Sequence, residues 1–231
     1  MPIIQDEEFG KITVRRSAKA TQVRLRVAPD GTLRASLPLY APLFLVKRLV
    51  RSSRAELKDM LQQAKPSIEY VGGMAIGKSH TLIVRATQGK NVRINRHGQQ
   101  IIAELPDGYD IADTAVQAEI RTIVIAALRI EAKSYLPKRL QFLATKYGLS
   151  YEKVRFSHAS SRWGSCSSNG TISLNIALMK LPFELIDYVL IHELAHTRQM
   201  NHSSDFWDIV EIGDPLYRSH RKLLKAEVPT I

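Results

Sequence analysis

One eleven-residue stretch constrains this chain more than any other, and it reads His192-Glu193-Leu194-Ala195-His196-Thr197-Arg198-Gln199-Met200-Asn201-His202. It has the pattern H-E-x-x-H followed by a third histidine. On a helix of about 3.6 residues per turn, His192 and His196 lie one turn apart on the same face, and Glu193 lies beside them. Two imidazoles at this spacing can bind one metal ion, with the glutamate as a base. The stretch holds three of the chain's seven histidines.

The third histidine predicts where the helix must end. If the helix continued, His202 would lie roughly 120° around the axis from His196, away from the metal face. The chain must therefore leave the helix between the two residues. Asn201 is the predicted turning residue, since Asn tolerates the left-handed conformation that often ends helices. A second helix, capped by a serine, is predicted over about 203–210.

Three histidines leave one coordination position open for water. Structural zinc sites usually have four protein ligands, often cysteines, so this pattern predicts a catalytic site with one Zn²⁺ per chain. The alternative is that His192 and His196 are ordinary histidines of an amphipathic helix and that Glu193 is solvated. The apolar run at 185–191 favours a buried helix that enters the site.

The net charge of +11 is unevenly distributed along the chain. Residues 1–108 hold 18 Lys and Arg against 9 Asp and Glu, whereas residues 109–231 hold 15 against 13. A basic half suggests an anionic partner, which can be nucleic acid, a nucleotide or an acidic protein. The alternative is a solvated basic surface that only aids solubility.

The composition also bears on the compartment. No apolar run approaches the roughly 20 residues needed to cross a membrane, and the N-terminus lacks the pattern of a signal peptide. Cys166 is the only cysteine, which excludes an intramolecular disulfide. It is either an inert packed thiol, a fourth metal ligand or a redox switch. A cytoplasmic enzyme that does not enter the membrane is expected.

The segments before residue 109 are rich in strand signals. Alternation at 23–27 and 32–37 predicts two strands joined by a turn at Asp30-Gly31, and an amphipathic helix with a basic face is predicted over 43–63. A second β-rich stretch runs over 68–105. Pro106-Asp107-Gly108 is the predicted boundary between a basic, β-rich N-terminal region (1–108) and a hydrolase domain (109–231).

The C-terminal region begins with a long predicted helix over 114–146, capped by Asp113 and kinked or split at Pro137. A strand at 154–157 and a hairpin that turns at Asn169-Gly170 follow. The metal-site helix is predicted to begin after Pro182. The chain as a whole is therefore predicted to be α+β.

These motifs closely resemble the YgjP-like metallopeptidase family, bacterial zincins related to the SprT and WLM groups. The most specific matches lie between Arg162 and Trp207. They are Arg162-Trp163-Gly164-Ser165-Cys166, Ile172-Ser173-Leu174-Asn175, Tyr188–His196 and Asn201-His202-Ser203 with Phe206-Trp207. The spacing also resembles metzincins, but Gln199 occupies the place of their glycine.

The resemblance implies a compact zincin-like domain with an H-E-x-x-H helix and a small antiparallel sheet. His192, His196 and His202 would bind zinc, and Glu193 would be the general base as zinc-activated water attacks a peptide bond. Arg162 is predicted to stabilise an oxyanion or to bind a carboxylate or phosphate, or else to form a structural ion pair. Strand 171–175 is predicted to be an exposed edge that pairs with a peptide substrate.

Further side chains are candidates to orient the site. Asn175 can orient a loop or substrate, and the carboxylates of Asp205, Asp208 and Glu211 can hold a ligand imidazole.

Three functions remain in competition. The first is a zinc-dependent metallopeptidase acting on peptides or proteins. The second is a metal-dependent pyrophosphatase of an anionic nucleoside triphosphate such as UTP, which the basic half would suit. The third is a nucleic-acid-associated module with a structural zinc, against which Glu193 argues because such a site needs no base.

Overall fold

The computed structural model describes residues 2–6, 8–18, 20–27, 33–63 and 68–231. The chain folds as two compact units, Met1–Ile68 and Glu69–Ile231. Helices and several small sheets are both present, in agreement with the predicted α+β class. Within the described ranges, no helix is both long enough and apolar enough to cross a membrane.

The N-terminal unit consists of one mixed sheet and two helices. Its elements are β1 (Ile3–Asp6), β2 (Gly10–Arg16), β3 (Arg24–Val27), β4 (Leu33–Leu37), α1 (Phe44–Ser52) and α2 (Arg54–Gln63). The strand order is β1-β2-β4-β3, with β2 parallel to β4 and the two outer pairs antiparallel. One face of the sheet packs against Val46, Val50 and Leu57 of the helices, and this layer is the core of the unit.

The structure bears on two sequence predictions for this unit, a β-hairpin and a single helix. The antiparallel strands are present, but the Asp30-Gly31 turn between them lies outside the described residues. The single helix predicted over 43–63 is divided at Ser53, whose φ of −109° and ψ of 23° depart from helical values. The Ser52 hydroxyl donates to the Leu49 carbonyl, a local bond of the kind by which serine competes with a continuous helix.

The C-terminal unit contains the remaining elements. They are β5 (Ala75–Ile76), β6 (His80–Thr87), β7 (Arg93–His97), β8 (Gln100–Pro106), α3 (Thr114–Lys146), β9 (Lys153–Ser157), β10 (Gly164–Cys166), β11 (Thr171–Asn175), a 3-10 helix (Ile176–Lys180), α4 (Phe183–Ala195), α5 (Ser204–Gly213) and α6 (Tyr217–Ala226). Strands β5 to β8 form a mixed sheet in the order β5-β6-β8-β7, with the same connectivity as the first sheet.

The division between the units comes earlier in the chain than the boundary predicted after Gly108. The reason is that the sheet of β5 to β8 packs against α3. The Gln117 side chain exchanges hydrogen bonds with the backbone of Tyr70, and Glu131 of α3 binds the turn before β6. These long-range bonds join the second β-rich stretch to the C-terminal unit.

Helix α3 is the central element of this unit, and one side of it is buried along its 33 residues. It is continuous through Pro137, where the sequence predicted either a kink or a split, so the helix is not split there. A proline removes one backbone hydrogen bond, and the buried neighbours Leu136 and Leu140 keep the helix in place. Asp113 occupies the N-cap position, but its carboxylate accepts from the Asp110 amide instead of capping the helix.

A buried carboxylate holds α3 to the second sheet. Glu131 accepts hydrogen bonds from the amides of Lys78 (2.7 Å) and Ser79 (2.9 Å), and it pairs with His80 Nδ1 at 2.6 Å. Burial alone would raise the pKa of Glu131, but these bonds from Lys78, His80 and Ser79 lower it below its ordinary value of 4.5. The carboxylate is therefore charged at neutral pH.

We expect Glu131→Gln to lower the free energy of unfolding at pH 7 by about 3–5 kcal/mol, because an amide cannot replace the charge and its NH₂ group faces other donors. Since folding lowers the pKa, the stabilisation is present above pH 4.5 and is lost as the pH falls through the folded-state pKa. Urea unfolding at several pH values measures this. Glu119→Gln, at an exposed position of the same helix, is the control; equal stabilities of the two variants would contradict the prediction.

The third sheet lies beside α4 and has the order β10-β11-β9. Strands β10 and β11 are antiparallel and join at the predicted Asn169-Gly170 turn, but β9 and β11 are parallel. The sheet is thus mixed, and the prediction of a purely antiparallel sheet was wrong. The prediction of an exposed edge at Thr171–Asn175 was also wrong, because β11 is the central strand and β10 is an edge.

Candidate metal centre

Helix α4 carries the first part of the site. It begins after Pro182, as predicted, and runs to Ala195 with most of its residues buried. Such an apolar helix is stable because it packs on several sides at once, against α3, α5, α6 and β10. The packing fixes the last turn of the helix, where His192 and Glu193 lie.

The structure brings the three predicted histidines together. Possible ligand atoms of His192, His196 and His202 all lie within 4.8 Å of one another. The Nε2 atoms of His192 and His202 are 3.3 Å apart. Two nitrogens bound to one tetrahedral zinc at about 2.0–2.1 Å are about 3.3–3.4 Å apart, so this pair has the separation that a shared ion requires.

The turn after α4 makes this convergence possible. Helix α4 ends at Ala195, and His196 is its C-cap residue with helical φ and ψ. The chain then leaves the helix, as predicted, and α5 begins at Ser204 with Ser203 at the N-cap position. No described residue other than glycine has a positive φ, so the prediction of a left-handed Asn201 was wrong. A run of turns and bends reverses the chain without it.

A backbone carbonyl orients one of the imidazoles. His196 Nδ1 donates to the Gln199 carbonyl at 3.0 Å, which leaves its Nε2 lone pair available for a metal. In the described chain, the predicted carboxylates of Asp205, Asp208 and Glu211 make no hydrogen bond to these histidines. Sequence inspection missed the role of Gln199 because any residue carries a carbonyl, so the side chain offers no signal.

The environment keeps two of the histidines neutral. Burial, together with the charges of His196, His202 and Arg221, lowers the pKa of His192 to about 3. Burial also lowers the pKa of His196. Since only an unprotonated imidazole nitrogen can bind a metal, both residues can act as ligands over the whole neutral range.

Glu193 lies beside the histidines in a buried position. Its Oε2 atom is buried and has no hydrogen-bond partner among the described residues. Burial raises the pKa of Glu193 to about 8, and the charge of Arg162 opposes this rise. A divalent cation bound by the histidine cluster would also oppose this rise, because a nearby positive charge favours the charged carboxylate. A carboxylate oxygen without a partner, next to three converging imidazoles, fits a site built for a metal ion and its water.

The strand β10 approaches Glu193 more closely than a side chain would allow. A Cβ atom at Gly164 would lie 2.5 Å from Glu193 Oε1 and 2.7 Å from its Cγ. Gly164 is therefore the residue that makes room for the carboxylate. It belongs to the Arg162–Cys166 motif, but nothing in the motif indicates which buried group the glycine accommodates.

A fully buried amide holds the segment before β10. Asn175 Nδ2 donates to the carbonyls of Ala159 (2.6 Å) and Arg162 (2.9 Å), and its Oδ1 accepts from the Ala177 amide. The prediction that Asn175 orients a loop agrees with these bonds. The segment that they hold leads directly to Gly164.

Aromatic rings pack around the cluster. The centroid of the buried Phe206 ring lies 4.5–4.9 Å from the centroids of all three imidazoles. Trp207 stacks on His202 on one side and on Tyr217 on the other, and Arg221 lies over Trp207 at 4.6 Å. Phe206 and Trp207 belong to α5, the predicted second helix, whereas Tyr217 and Arg221 belong to α6, which was not predicted. Side chains of both helices therefore surround the histidine cluster.

Two further predicted residues, Arg162 and Cys166, lie outside the histidine cluster. Arg162 is exposed and forms no ion pair with a described residue, so the structural ion pair considered for it is absent from the described chain. Its charge does reach Glu193. Cys166 is half-buried and is not part of the histidine cluster. Burial and the charge of Glu193 raise the pKa of its thiol, which does not favour a reactive thiolate.

The chain is similar to one known protein family and to part of one solved structure. The model of the family described as YgjP-like, metallopeptidase domain, matches residues 21–227. No curated protein matches the chain. Among solved structures, the chain is similar to the crystal structure of the metallopeptidase zymogen of Pyrococcus abyssi abylysin, with 29% identity and a TM-score of 0.36. That match covers 39% of this chain and 92% of the other.

The family match confirms the resemblance seen in the motifs, and it implies a metal cofactor and a hydrolytic activity. Because it extends over nearly the whole chain, the protein belongs to the YgjP-like metallopeptidase family.

Proposed function

We propose that the protein is a zinc-dependent peptidase in which His192, His196 and His202 bind one Zn²⁺ and Glu193 is the general base. The observation that carries the proposal is the 3.3 Å separation of two imidazole Nε2 atoms beside a buried carboxylate oxygen without a partner. Three protein ligands with one open position are the usual donor set of catalytic zinc. When bound, zinc supplies Lewis-acid activation of a water molecule and of the substrate oxygen.

The residues around this position have separate roles in the proposal. Glu193 accepts a proton from the attacking water and delivers it to the leaving amine. Strand β10 has β11 on one side, and we propose that its other edge pairs with an extended peptide substrate. Arg162, exposed near Glu193, is placed to bind a carboxylate or a developing oxyanion.

A second candidate function has specific support. Helix α6 presents Arg218, Arg221, Lys222 and Lys225 around a hollow of about 200 Å³, and the charge of Arg221 reaches His192. Cations on this side of the site would suit a nucleoside triphosphate, whose pyrophosphate bond the same base and metal can hydrolyse. Release of pyrophosphate from nucleotides, compared with cleavage of a fluorogenic peptide library, distinguishes the two reactions.

Metal binding is the first test of either function. We expect about one zinc per chain in the purified protein, and we expect His202→Ala to weaken zinc binding by more than about 100-fold, because even loss of a partner outside the ligand set costs about 10–100-fold. Zinc titration against a competing chelator measures this. His97→Ala, which removes an exposed histidine of β7, is the matched control. Equal zinc affinity of the His202→Ala variant and the wild-type protein would remove His202 from the site.

A further inference from the structure

The outer face of the N-terminal sheet carries a compact block of arginines. Strands β2, β4 and β3 lie side by side, and their register places two rows across them. The first row is Thr13, Arg34 and Arg26, and the second is Arg15, Ser36 and Arg24. We call these six residues the arginine face. All four arginines are exposed, while the alternate residues Val14, Leu33, Ala35 and Leu37 are buried on the other face.

This arrangement is unfavourable for the folded sheet by itself. Arg26 lies directly opposite Arg34, and like charges at opposed positions of an antiparallel pair are destabilising. Arg24 and Arg26 also share one side of β3. With spacings of about 3.3 Å per residue and 4.8 Å between strands, four guanidinium groups arise from a patch of about 7 by 10 Å.

Two described acidic residues of the same unit are engaged with cations of the helical layer. Asp6 and Glu8 pair with Arg54 and Lys58 of α2. Arg15, Arg24 and Arg26 form no ion pair with a described residue. Arg16 shows what a structural arginine in this unit does instead, since its guanidinium donates to the carbonyls of Pro38, Leu39 and Ala41.

We propose that the arginine face binds the phosphate backbone of double-stranded DNA. Arginine, serine and threonine are residues that proteins use to contact phosphates, and no acidic residue occupies the six positions. The face contains no aromatic side chain, so it lacks the stacking platform of single-strand binders. A duplex presents one negative charge per about 1.7 Å of axis, so several phosphates lie within reach of a patch of this size. A protein that contacts only the sugar-phosphate backbone of DNA does not read the base sequence, so we expect binding without sequence preference.

The test is fluorescence anisotropy of a labelled 20-base-pair duplex with the full-length protein at a series of salt concentrations. If Arg15, Arg24 and Arg26 neutralise phosphates, the plot of log K against log salt has a slope of about −3. Arg24→Gln/Arg26→Gln should reduce the slope by about 2 and weaken binding about 50-fold at 0.1 M salt. Arg15→Gln, on another strand, should reduce the slope by about 1.

The matched control is Lys47→Gln/Arg48→Gln, which removes the same charge from exposed positions of α1, on the helical side of the core. It should leave the slope nearly unchanged. An equal loss in this control, tighter binding of a single strand of the same length, or binding of phosphatidylserine vesicles without binding of duplex would overturn the proposal. Circular dichroism verifies that each variant is folded. We expect the Arg24→Gln/Arg26→Gln variant to retain peptide cleavage, so that a loss of DNA binding can be distinguished from a loss of the proposed catalysis.

Discussion

Replacement of Glu193 by Gln should reduce hydrolysis about 10²–10⁴-fold while zinc still binds at one ion per chain. Glutamine is nearly isosteric and cannot accept the proton of the attacking water, which is the contribution that general bases make to rate. Burial raises the pKa of Glu193 to about 8, and a bound zinc ion would lower it towards or below neutrality, where a base can both take and return a proton. The measurements are kcat on the substrate found in the comparison of peptides with nucleotides, and zinc content by elemental analysis.

A glutamate of the same helix provides the control for this experiment. Glu184 lies in the first turn of α4 and is exposed, so Glu184→Gln should retain full activity. Undiminished turnover of the Glu193→Gln variant would exclude Glu193 as the base. Loss of zinc together with loss of activity would instead assign Glu193 to metal binding, which contradicts the proposed division of roles.

Gly164→Ala should lower kcat by about 10²-fold with little change in zinc content. The new Cβ would lie 2.5 Å from Glu193 Oε1 and 2.8 Å from its Cδ, so the carboxylate must move. A displacement of about 1 Å in a reacting group is enough for a loss of this size. The three atoms nearest to the new methyl group all belong to Glu193 and none to a histidine. We therefore expect kcat to fall while zinc binding is retained.

Another glycine tests whether an added methyl group is harmful in general. The added Cβ of Gly89→Ala meets only the Thr87 side chain, 3.5 Å from Oγ1 and 3.7 Å from Cγ2. These are ordinary contacts, so the variant should behave like the wild-type protein. Unchanged kcat in the Gly164→Ala variant would show that Glu193 tolerates another position. Zinc loss in that variant would show that the substitution disturbs the whole centre, contrary to the expectation.

Several features of the fold could be predicted because local patterns determine them. Alternation in β3 and β4, the apolar run of α4 and the turn at Asn169-Gly170 are properties of short segments. The strands, the buried helix and the turn are all present in the structure. The division of the first helix at Ser53 was not predicted, and the sequence did not decide whether Pro137 would split α3. Tertiary packing can override the local preference at such positions.

Features that depend on distant residues could not be read from the chain. The unit boundary at residue 68 follows from bonds between α3 and the segment before β6, which are about 50 residues apart in sequence. The central place of β11 depends on its pairing with β9, and sequence alone does not show which strands become neighbours.

The same distinction applies to the candidate site. The identity of the three histidines, their spacing and the need for a turn before His202 were determined by the sequence alone, because helical geometry allows few ways to bring such residues to one point. The tertiary structure alone decided that Gly164 lies against Glu193, that the Gln199 carbonyl orients His196, and that Phe206 packs on all three imidazoles. These are contacts between separate segments or bonds to the backbone, and they arise only when packing brings the segments together.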